Sequence, residues 1–298
     1  MKMGFRYRKW LAEYLPDDGG RLSRLCYDDV DLLTTEPATF QPPSEDYGAY
    51  ETRPVYGYDD CFPSVEPSLM PGSQVEIPDH GELCWLEWRG SAGNDRLNFQ
   101  VDSRLFPVRF TRSIQFKERE LVWDFNIHHY GGKTIPFQHV IHPLLPLSRI
   151  TSMTLPRFRS VIDDEGVPIT IEDPAALETY LLQVPTGEKR MLFLQELETS
   201  EVGWTMESGL AVTMRFPLNH FPTLGIWWNN LAYPDEDGCR RDECAFEPVP
   251  GTTSHLGNSW SDRSCLVLEP GETFSWQMSW EIDGERIRKP DVTWPEKR

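Results

Sequence analysis

The sequence contains no long apolar run. No apolar stretch approaches the ~18 consecutive residues that a membrane-spanning helix requires. Residues 1–10 are basic, but they lack the apolar segment of a signal peptide. Both absences lead us to expect a cytoplasmic protein without a membrane partner.

Positive charge is scarce as well. Lys and Arg number 29 against 47 Asp and Glu, so the formal net charge is −18. A protein that binds a phosphate backbone needs a basic surface, and no basic run in the body of the chain is longer than Arg240-Arg241. We therefore expect no nucleic-acid partner, whereas uncharged ligands remain open. A sugar phosphate would need a local arginine cluster, which the sequence alone does not assemble.

Cysteines are few and irregularly spaced. The closest pair, Cys239 and Cys244, has no second pair with the spacing of a zinc site. His139 and His142 are three residues apart, which on a strand places them on opposite faces rather than around one metal ion. The sequence therefore predicts reduced structural cysteines, no metal site and no cofactor.

Aromatic residues, in contrast, are abundant, with 11 Trp, 10 Tyr and 15 Phe. Most are expected to pack in a core, because aromatic residues favour strands, and some could line a groove for the flat face of a sugar ring. Short alternating apolar segments separated by Gly and Pro turns run along the chain. Helical spacing is confined to residues 5–15 and a short helix at 175–182. This pattern predicts an all-β protein built as a large β-sandwich.

Residues 133–143 carry the first candidate site residue. They predict a buried strand that ends at a proline, with Phe137, His139 and Ile141 on one face and Gln138, Val140 and His142 on the other. Residues 244–251 supply a complementary group, because Glu247 lies between an apolar residue and a proline-containing turn. We predict that His142 and Glu247 meet across a sugar-binding cleft, and Gln138 shares the face of His142 as a candidate substrate contact.

Further candidate substrate contacts lie in turns. Residues 53–72 combine glycine, aspartate and proline, as in a shaped loop, and such loops often carry binding groups. Arg53, Asp59 and Asp60 are its candidates; an aspartate-rich capping turn is the alternative. His80 precedes a glycine at the entrance to a predicted strand with Cys84, Trp85 and Trp88, where it either faces a pocket or lies on the surface.

The segment 223–231 predicts a strand with unusual polar content. Trp227, Asn229 and Leu231 share one face, and Ile226, Trp228 and Asn230 share the other. An aromatic ring beside an amide suits a sugar ring face and a hydroxyl group. Trp228 and Asn230 are therefore the candidate substrate contacts on this strand.

The order of these motifs resembles the aldose 1-epimerase (galactose mutarotase-like) superfamily. The motifs are the glycine-rich start, the Asp-Asp loop that ends in Phe62-Pro63, His80-Gly81, His142-Pro143, the Trp-Asn strand and Glu247-Pro248. The likeness extends over about residues 16–284 of a single domain covering 1–298, with a polar C-terminal tail. It implies a β-supersandwich of large antiparallel sheets, with His142 as general acid, Glu247 as general base and His80 as a substrate-binding residue.

Three functions follow from this resemblance. The first is an isomerase of carbohydrate metabolism that interconverts sugar anomers as a monomer or a homodimer. The second is a carbohydrate-binding protein that has kept the cleft without turnover. The third is a carbohydrate-cleaving enzyme that uses Glu247 with Asp59 or Asp60. In each case the expected partner is a small-molecule carbohydrate.

Overall fold

Antiparallel β-strands make up most of this chain. The computed structural model describes residues 1–37, 47–234 and 240–284. Within these ranges it contains 23 strands and two α-helices. The predicted polar tail and Cys239 lie outside the described residues. No helix in the described ranges is long and apolar enough to cross a membrane.

Strands follow one another along most of the chain. The first are β1 Met3–Tyr7, β2 Trp10–Leu15, β3 Arg21–Tyr27, β4 Val30–Asp31, β5 Tyr58–Cys61, β6 Ser68–Leu69, β7 Glu76–Ile77 and β8 Arg89–Ala92. The next are β9 Arg96–Asp102, β10 Val108–Phe116, β11 Glu120–His129, β12 Ile135–Phe137, β13 Val140–Pro143, β14 Ile150–Thr154, β15 Ser160–Asp163 and β16 Pro168–Ile169. The last are β17 Glu188–Gln195, β18 Glu201–Met206, β19 Ala211–Arg215, β20 Thr223–Asn230, β21 Asp242–Val249, β22 Leu266–Leu268 and β23 Thr273–Asp283. The helices are α1 Pro174–Leu182 and α2 Leu256–Ser261, and short 3₁₀ helices span Tyr50–Thr52, Leu83–Trp85 and Leu147–Arg149.

Three large antiparallel sheets organise these strands. An eight-stranded sheet has the order β14-β18-β19-β23-β11-β10-β9-β8, and a six-stranded sheet has the order β1-β2-β3-β5-β13 with β4 beside β3. A five-stranded sheet has the order β16-β15-β17-β20-β21, and the pairs β12–β22 and β6–β7 complete the arrangement. The prediction of an all-β fold with large antiparallel sheets is confirmed.

Alternating side chains explain why these segments form strands. In β10, Val108, Phe110 and Ile114 are buried, whereas Arg109 and Thr111 between them reach the opposite face. Each large apolar side chain that leaves water in this way stabilises the fold by roughly 1.5–3 kcal/mol. Aromatic residues pack in this core, as the composition predicts, and the largest fully buried side chains include Trp10, Trp88, Trp204 and Trp280.

Two local predictions were wrong. Residues 5–15, predicted as a helix, form the hairpin of β1 and β2, in which Trp10, Ala12 and Tyr14 alternate into the core. The predicted strand around Cys84 and Trp85 begins instead as the 3₁₀ helix Leu83–Trp85. In both places the apolar residues were identified correctly, but the periodicity of a short window did not determine the element.

The stretch around His142 is two strands rather than one. β12 pairs with β22, whereas β13 pairs with β5 and forms the end of the six-stranded sheet. Gln138 lies between them, and its side-chain amide nitrogen donates to the Thr253 carbonyl oxygen at 2.8 Å and to the Ser259 hydroxyl at 3.0 Å. This interruption lets β13 leave the β12–β22 pair and carry His142 to the end of a sheet.

Candidate active site

The candidate site lies where two sheets meet at their end strands. β13 ends the six-stranded sheet and β21 ends the five-stranded sheet. A single antiparallel bridge joins the two chain segments, because the backbone groups of Leu145 and Cys244 exchange hydrogen bonds of 2.7 and 3.0 Å. A pocket of about 390 Å³ opens at this seam, a size suited to a small-molecule ligand.

His142 and Glu247 face each other in this pocket from the two end strands. His142 Nε2 lies 3.4 Å from Glu247 Oε1, slightly beyond a normal hydrogen bond. Both residues line the pocket although their exposed fractions are only 7% and 3%. A small ligand in the pocket can therefore contact both groups while bulk water is largely excluded. The catalytic roles of the two residues stay a prediction.

Burial shifts the proton affinities of this pair in opposite directions. Desolvation lowers the pKa of His142 well below its usual value, and the neighbouring His80 and the cationic Arg241 act in the same direction. Desolvation also raises the pKa of Glu247 to about 8, with a further contribution from the charge of Glu243. Both shifts favour a neutral pair at pH 7, in which the imidazole is unprotonated on one nitrogen and the carboxyl group of Glu247 keeps its proton.

His80 lines the same pocket because of a tight turn. His80 and Gly81 both have positive φ, of 60° and 69°. A Cβ atom on residue 81 would lie 2.1 Å from the Phe62 carbonyl oxygen, so only glycine fits this turn. The His80 ring stacks on Tyr50 with centroids 3.7 Å apart and meets His142 edge-on at 5.0 Å. The structure thus brings three residues predicted for the site together: His80, His142 and Glu247.

Asp59 and Arg53 lie beneath the pocket rather than in its lining. Asp59 Oδ2 accepts a hydrogen bond of 3.0 Å from the Tyr50 hydroxyl. Arg21 and Arg53 approach the same oxygen at 3.2 and 3.4 Å. Both residues were predicted as substrate contacts, but neither is among the described residues that line the pocket. Their connection to the pocket passes through Tyr50.

Asp60 and Gln138 also lie away from the pocket lining. Asp60 is fully buried, forms an ion pair with Arg112 and contacts His139 Nε2 at 3.0 Å. Burial alone would raise the pKa of Asp60, but the charge of Arg112 and the hydrogen bond from His139 outweigh it and hold that pKa below its usual range. The predicted substrate contact of Asp60 is therefore replaced by a core ion pair, and Gln138 instead fixes the loop that follows β21.

On β20, the face opposite the predicted one lines the pocket. Trp228 is buried in the main core, and the side-chain nitrogen of Asn230 donates to the Val184 carbonyl oxygen at 2.9 Å. Trp227 lines the pocket instead, and its Nε1 donates to Glu243 Oε1 at 3.1 Å. The two faces were divided correctly, but alternation does not reveal which face meets the cleft.

The charges around the pocket are mostly negative. Among the described residues, six acidic side chains line it, namely Glu51, Glu66, Asp79, Asp164, Glu243 and Glu247. The basic lining residues are Lys189 and Arg241. Arg241 is already engaged, because its guanidinium contacts Glu51 at 2.8 Å and Glu243 at 2.9 Å. The arginine cluster that a sugar phosphate would need is not found in the lining of the described pocket.

A larger groove of about 820 Å³ crosses the eight-stranded sheet, but its lining has fewer side chains that could act as an acid or a base. Its arginines are engaged in ion pairs: Arg112 with Asp60, and Arg89 with Asp102 at 3.0 Å. No histidine is among its described lining residues. The smaller pocket is therefore the better candidate for a reaction. Within the described ranges, no cluster of three or more His, Cys, Asp or Glu is arranged to hold a metal ion.

Several pocket residues were not predicted from the sequence, and Tyr50, Glu243 and Arg241 are the most important. Tyr50 ends residues 35–50, whose prolines and polar residues predict only a loop, and no pattern in the sequence distinguishes it. Glu243 could have been found, because it lies four residues before Glu247 on β21 and strand alternation places both on one face. Arg241 reaches the pocket by pairing with that carboxylate.

Comparison with known proteins identifies the fold. No family model matches the sequence, and no curated protein matches it. Among solved structures, a Synechocystis protein is 17% identical, with a TM-score of 0.76 and coverage of 96% of each chain. A galactose mutarotase-like protein from Clostridium acetobutylicum is 15% identical, with a TM-score of 0.66 and coverage of 95% of each chain. A galactose mutarotase related enzyme from Lactobacillus acidophilus is 14% identical, with a TM-score of 0.63 and coverage of 97% of this chain and 100% of that chain.

Proposed function

We propose that this chain, which has the fold of the galactose mutarotase-like proteins, interconverts the anomers of an uncharged aldose. The observation that carries the proposal is the pair formed by His142 and Glu247, 3.4 Å apart at the lining of a pocket of about 390 Å³. A buried acid and a buried base with separated proton affinities are the groups that this reaction needs. The sequence identities of 14–17% to solved structures show a shared fold, so the proposed activity rests on the site residues.

The reaction moves two protons and breaks one bond. The protonated carboxyl group of Glu247 gives its proton to the ring oxygen, while His142 Nε2 takes the proton of the anomeric hydroxyl group. The bond between C1 and the ring oxygen breaks, and C1 becomes a carbonyl carbon. Because both sugar oxygens are attached to C1, two protein groups 3.4 Å apart can reach them together.

Ring closure reverses these transfers on the other face of the carbonyl. After rotation about the C1–C2 bond, the carboxylate of Glu247 recovers the proton of the hydroxyl group that attacks C1. The imidazolium of His142 then protonates the carbonyl oxygen. The protein returns to its starting state, so no cofactor is consumed. The directions of the pKa shifts favour Glu247 as the initial acid and His142 as the initial base, the reverse of the predicted assignment.

The charge of the pocket lining supports an uncharged substrate. Besides Glu247, which keeps its proton at neutral pH, the described lining has five acidic and two basic side chains, and the guanidinium of Arg241 is shared between Glu51 and Glu243. A phosphate group or a sugar acid would face net repulsion there. The hydroxyl groups of a neutral sugar can instead donate hydrogen bonds to the carboxylates, and the ring of Trp227 offers an apolar face.

The carbohydrate-cleaving alternative, in the form predicted from the sequence, has less support. It requires a second carboxyl group that flanks the bond to be broken, and Asp59 and Asp60 were the predicted partners of Glu247. Both are buried outside the pocket lining, where they contact arginine side chains.

We further propose that the chain is a single domain, because one apolar core cluster extends across its large sheets. It would act in the cytoplasm as a monomer or a homodimer.

Time-resolved NMR of freshly dissolved α-anomers tests the function and the substrate class together. We expect the protein to accelerate anomer exchange of glucose or galactose, with kcat/KM at least about tenfold lower for the 6-phosphates at low salt. Added salt should narrow this difference, because it screens the repulsion. Absence of any acceleration with neutral aldoses would contradict the proposed function, and preference for the phosphates would contradict the proposed substrate class.

The pH dependence of anomer exchange follows from the single titratable proton that the pair of His142 and Glu247 holds at neutral pH. The pair loses its proton above the pKa of Glu247, about 8, and gains a second one only below the lowered pKa of His142. We therefore expect kcat/KM, corrected for spontaneous exchange, to be level through neutral pH and to fall about tenfold per unit above pH 8. An alkaline decline centred near pH 6.5, the ordinary value for histidine, would contradict the burial shifts.

A further inference from the structure

Two successive polar contacts connect Asp59, Tyr50 and His142. Asp59 Oδ2 lies 3.0 Å from the Tyr50 hydroxyl oxygen, which in turn lies 3.3 Å from His142 Nδ1. All three side chains are buried. His142 Nε2, on the other side of the same ring, faces Glu247. These contacts therefore end at Nδ1, the ring nitrogen that does not face the carboxyl group of Glu247. The positions of the protons in these contacts determine the tautomer of the His142 ring.

The single hydroxyl proton of Tyr50 is directed to Asp59. Asp59 Oδ2 acts as the acceptor of this contact, since the guanidinium groups of Arg21 and Arg53, which can only donate, lie 3.2 and 3.4 Å from the same oxygen. A hydrogen bond to a charged acceptor is roughly twice as strong as one between neutral groups. If Tyr50 donated to His142 instead, its oxygen would face the carboxylate at 3.0 Å with no proton between them.

The direction of this hydrogen bond determines the tautomer of His142. With the hydroxyl proton pointing to Asp59, Tyr50 presents a lone pair to His142 Nδ1. A bare Nδ1 would place two lone pairs 3.3 Å apart, so Nδ1 carries a proton and donates it to Tyr50. In the neutral ring the other nitrogen, Nε2, is then the acceptor. Nε2 is the atom that lies 3.4 Å from Glu247.

Packing fixes the position of the Tyr50 ring. Its face stacks on His80, and the guanidinium of Arg53 lies 5.5 Å from its centroid. Arg53 is itself held by Asp18 and Asp59. Burial, and then the charge of Asp59, raise the pKa of Tyr50 well above its usual value, so the phenol keeps its proton throughout the working pH range.

We propose that Tyr50, oriented by Asp59, is a positioning residue that keeps the proton of neutral His142 on Nδ1 and leaves Nε2 free for proton exchange. Nδ1–H donates to Tyr50 both when the ring is neutral and when it is an imidazolium. The same nitrogen, Nε2, therefore takes and returns the proton during ring opening and closure. The importance of this arrangement rests on the proposed function, but the tautomer itself is a property of the ligand-free protein.

Long-range ¹H–¹⁵N NMR of the ligand-free full chain tests the tautomer directly. The His142 signals are assigned by their loss in His142→Asn. We expect a protonated Nδ1 and a bare Nε2 at neutral pH. A protonated Nε2 with a bare Nδ1 would overturn the proposal. This result does not depend on turnover: the expected tautomer without anomer exchange would refute the proposed function alone, and exchange with the opposite tautomer would refute the positioning role alone.

The variant Tyr50→Phe keeps the ring that stacks on His80 but removes the oxygen. We expect His142 to shift toward the Nε2-protonated tautomer and kcat to fall about tenfold, as for the loss of one hydrogen bond in the transition state, with KM within about twofold. Tyr58→Phe is the matched control, because it removes a buried tyrosine–aspartate hydrogen bond of 2.8 Å, to Asp60, away from the pocket. Equal tautomers and equal kcat in the two variants would overturn the proposal.

Discussion

The variants Glu247→Gln and His142→Asn are each expected to slow the interconversion of sugar anomers about 10²–10⁴-fold, while the sugar still binds. Each replacement keeps the approximate shape of the side chain and its capacity for hydrogen bonds, but it removes the group that moves a proton. KM should change little, because the hydroxyl contacts of the ligand remain. Exchange rates from NMR and sugar affinity from calorimetry, measured on the same samples, separate the two effects.

The double variant shows whether the two residues work as one unit. Because each needs the other to return its proton, we expect the double variant to be about as slow as the slower single variant rather than to show the product of both losses. His128→Asn and Glu281→Gln serve as controls of identical chemistry on the eight-stranded sheet, where both side chains are exposed. Near-normal exchange in either pocket variant would refute the acid–base role of that residue.

The large sheets were predictable because most of their strands carry regular alternation. β10 and β11 show it over nine and ten residues, long enough for the period of two to be unmistakable. The hairpin of β1 and β2 was missed because Trp10, Leu11, Tyr14 and Leu15 also fit a helical spacing over so short a window. Its strand conformation depends on pairing with β3, a contact that local sequence does not encode.

The pocket was predictable only in part, for a similar reason. His142 and Glu247 were found because each lies at a proline-bounded strand segment, and those strands are the ends of two sheets. Tyr50 has no such signal, and its position depends on Arg53 and Asp59, which follow it within ten residues, and on His80 from a separate turn. Arg53, which was predicted as a ligand contact, is instead paired with Asp18 and Asp59 in the structure.

The residue proposed as the acid also destabilises the folded protein at neutral pH. In the unfolded chain the carboxyl group of Glu247 has its ordinary pKa of 4.5, whereas in the folded state burial raises that pKa to about 8. The folded state therefore binds a proton that the unfolded state releases, and stability is lost as pH rises from 4.5 through 8. The free-energy difference at pH 7 is ~3 kcal/mol. Glu247→Gln has no proton to lose, so we expect it to be more stable than the natural protein by about this amount.

Urea unfolding at pH 5 and pH 7 measures this difference, and a second glutamate on the same strand supplies the control. The gain from Glu247→Gln should be below ~1 kcal/mol at pH 5, which lies close to the ordinary pKa of the unfolded side chain, and should reach ~3 kcal/mol at pH 7. Glu243→Gln should lose stability instead, since Glu243 is paired with Arg241 at 2.9 Å and accepts a hydrogen bond from Trp227. A Glu247→Gln variant that is equally stable or less stable at pH 7 would mean that the carboxyl group is ionised in the folded protein. Glu247 would then begin the reaction as the base, and His142 would have to supply the proton to the ring oxygen.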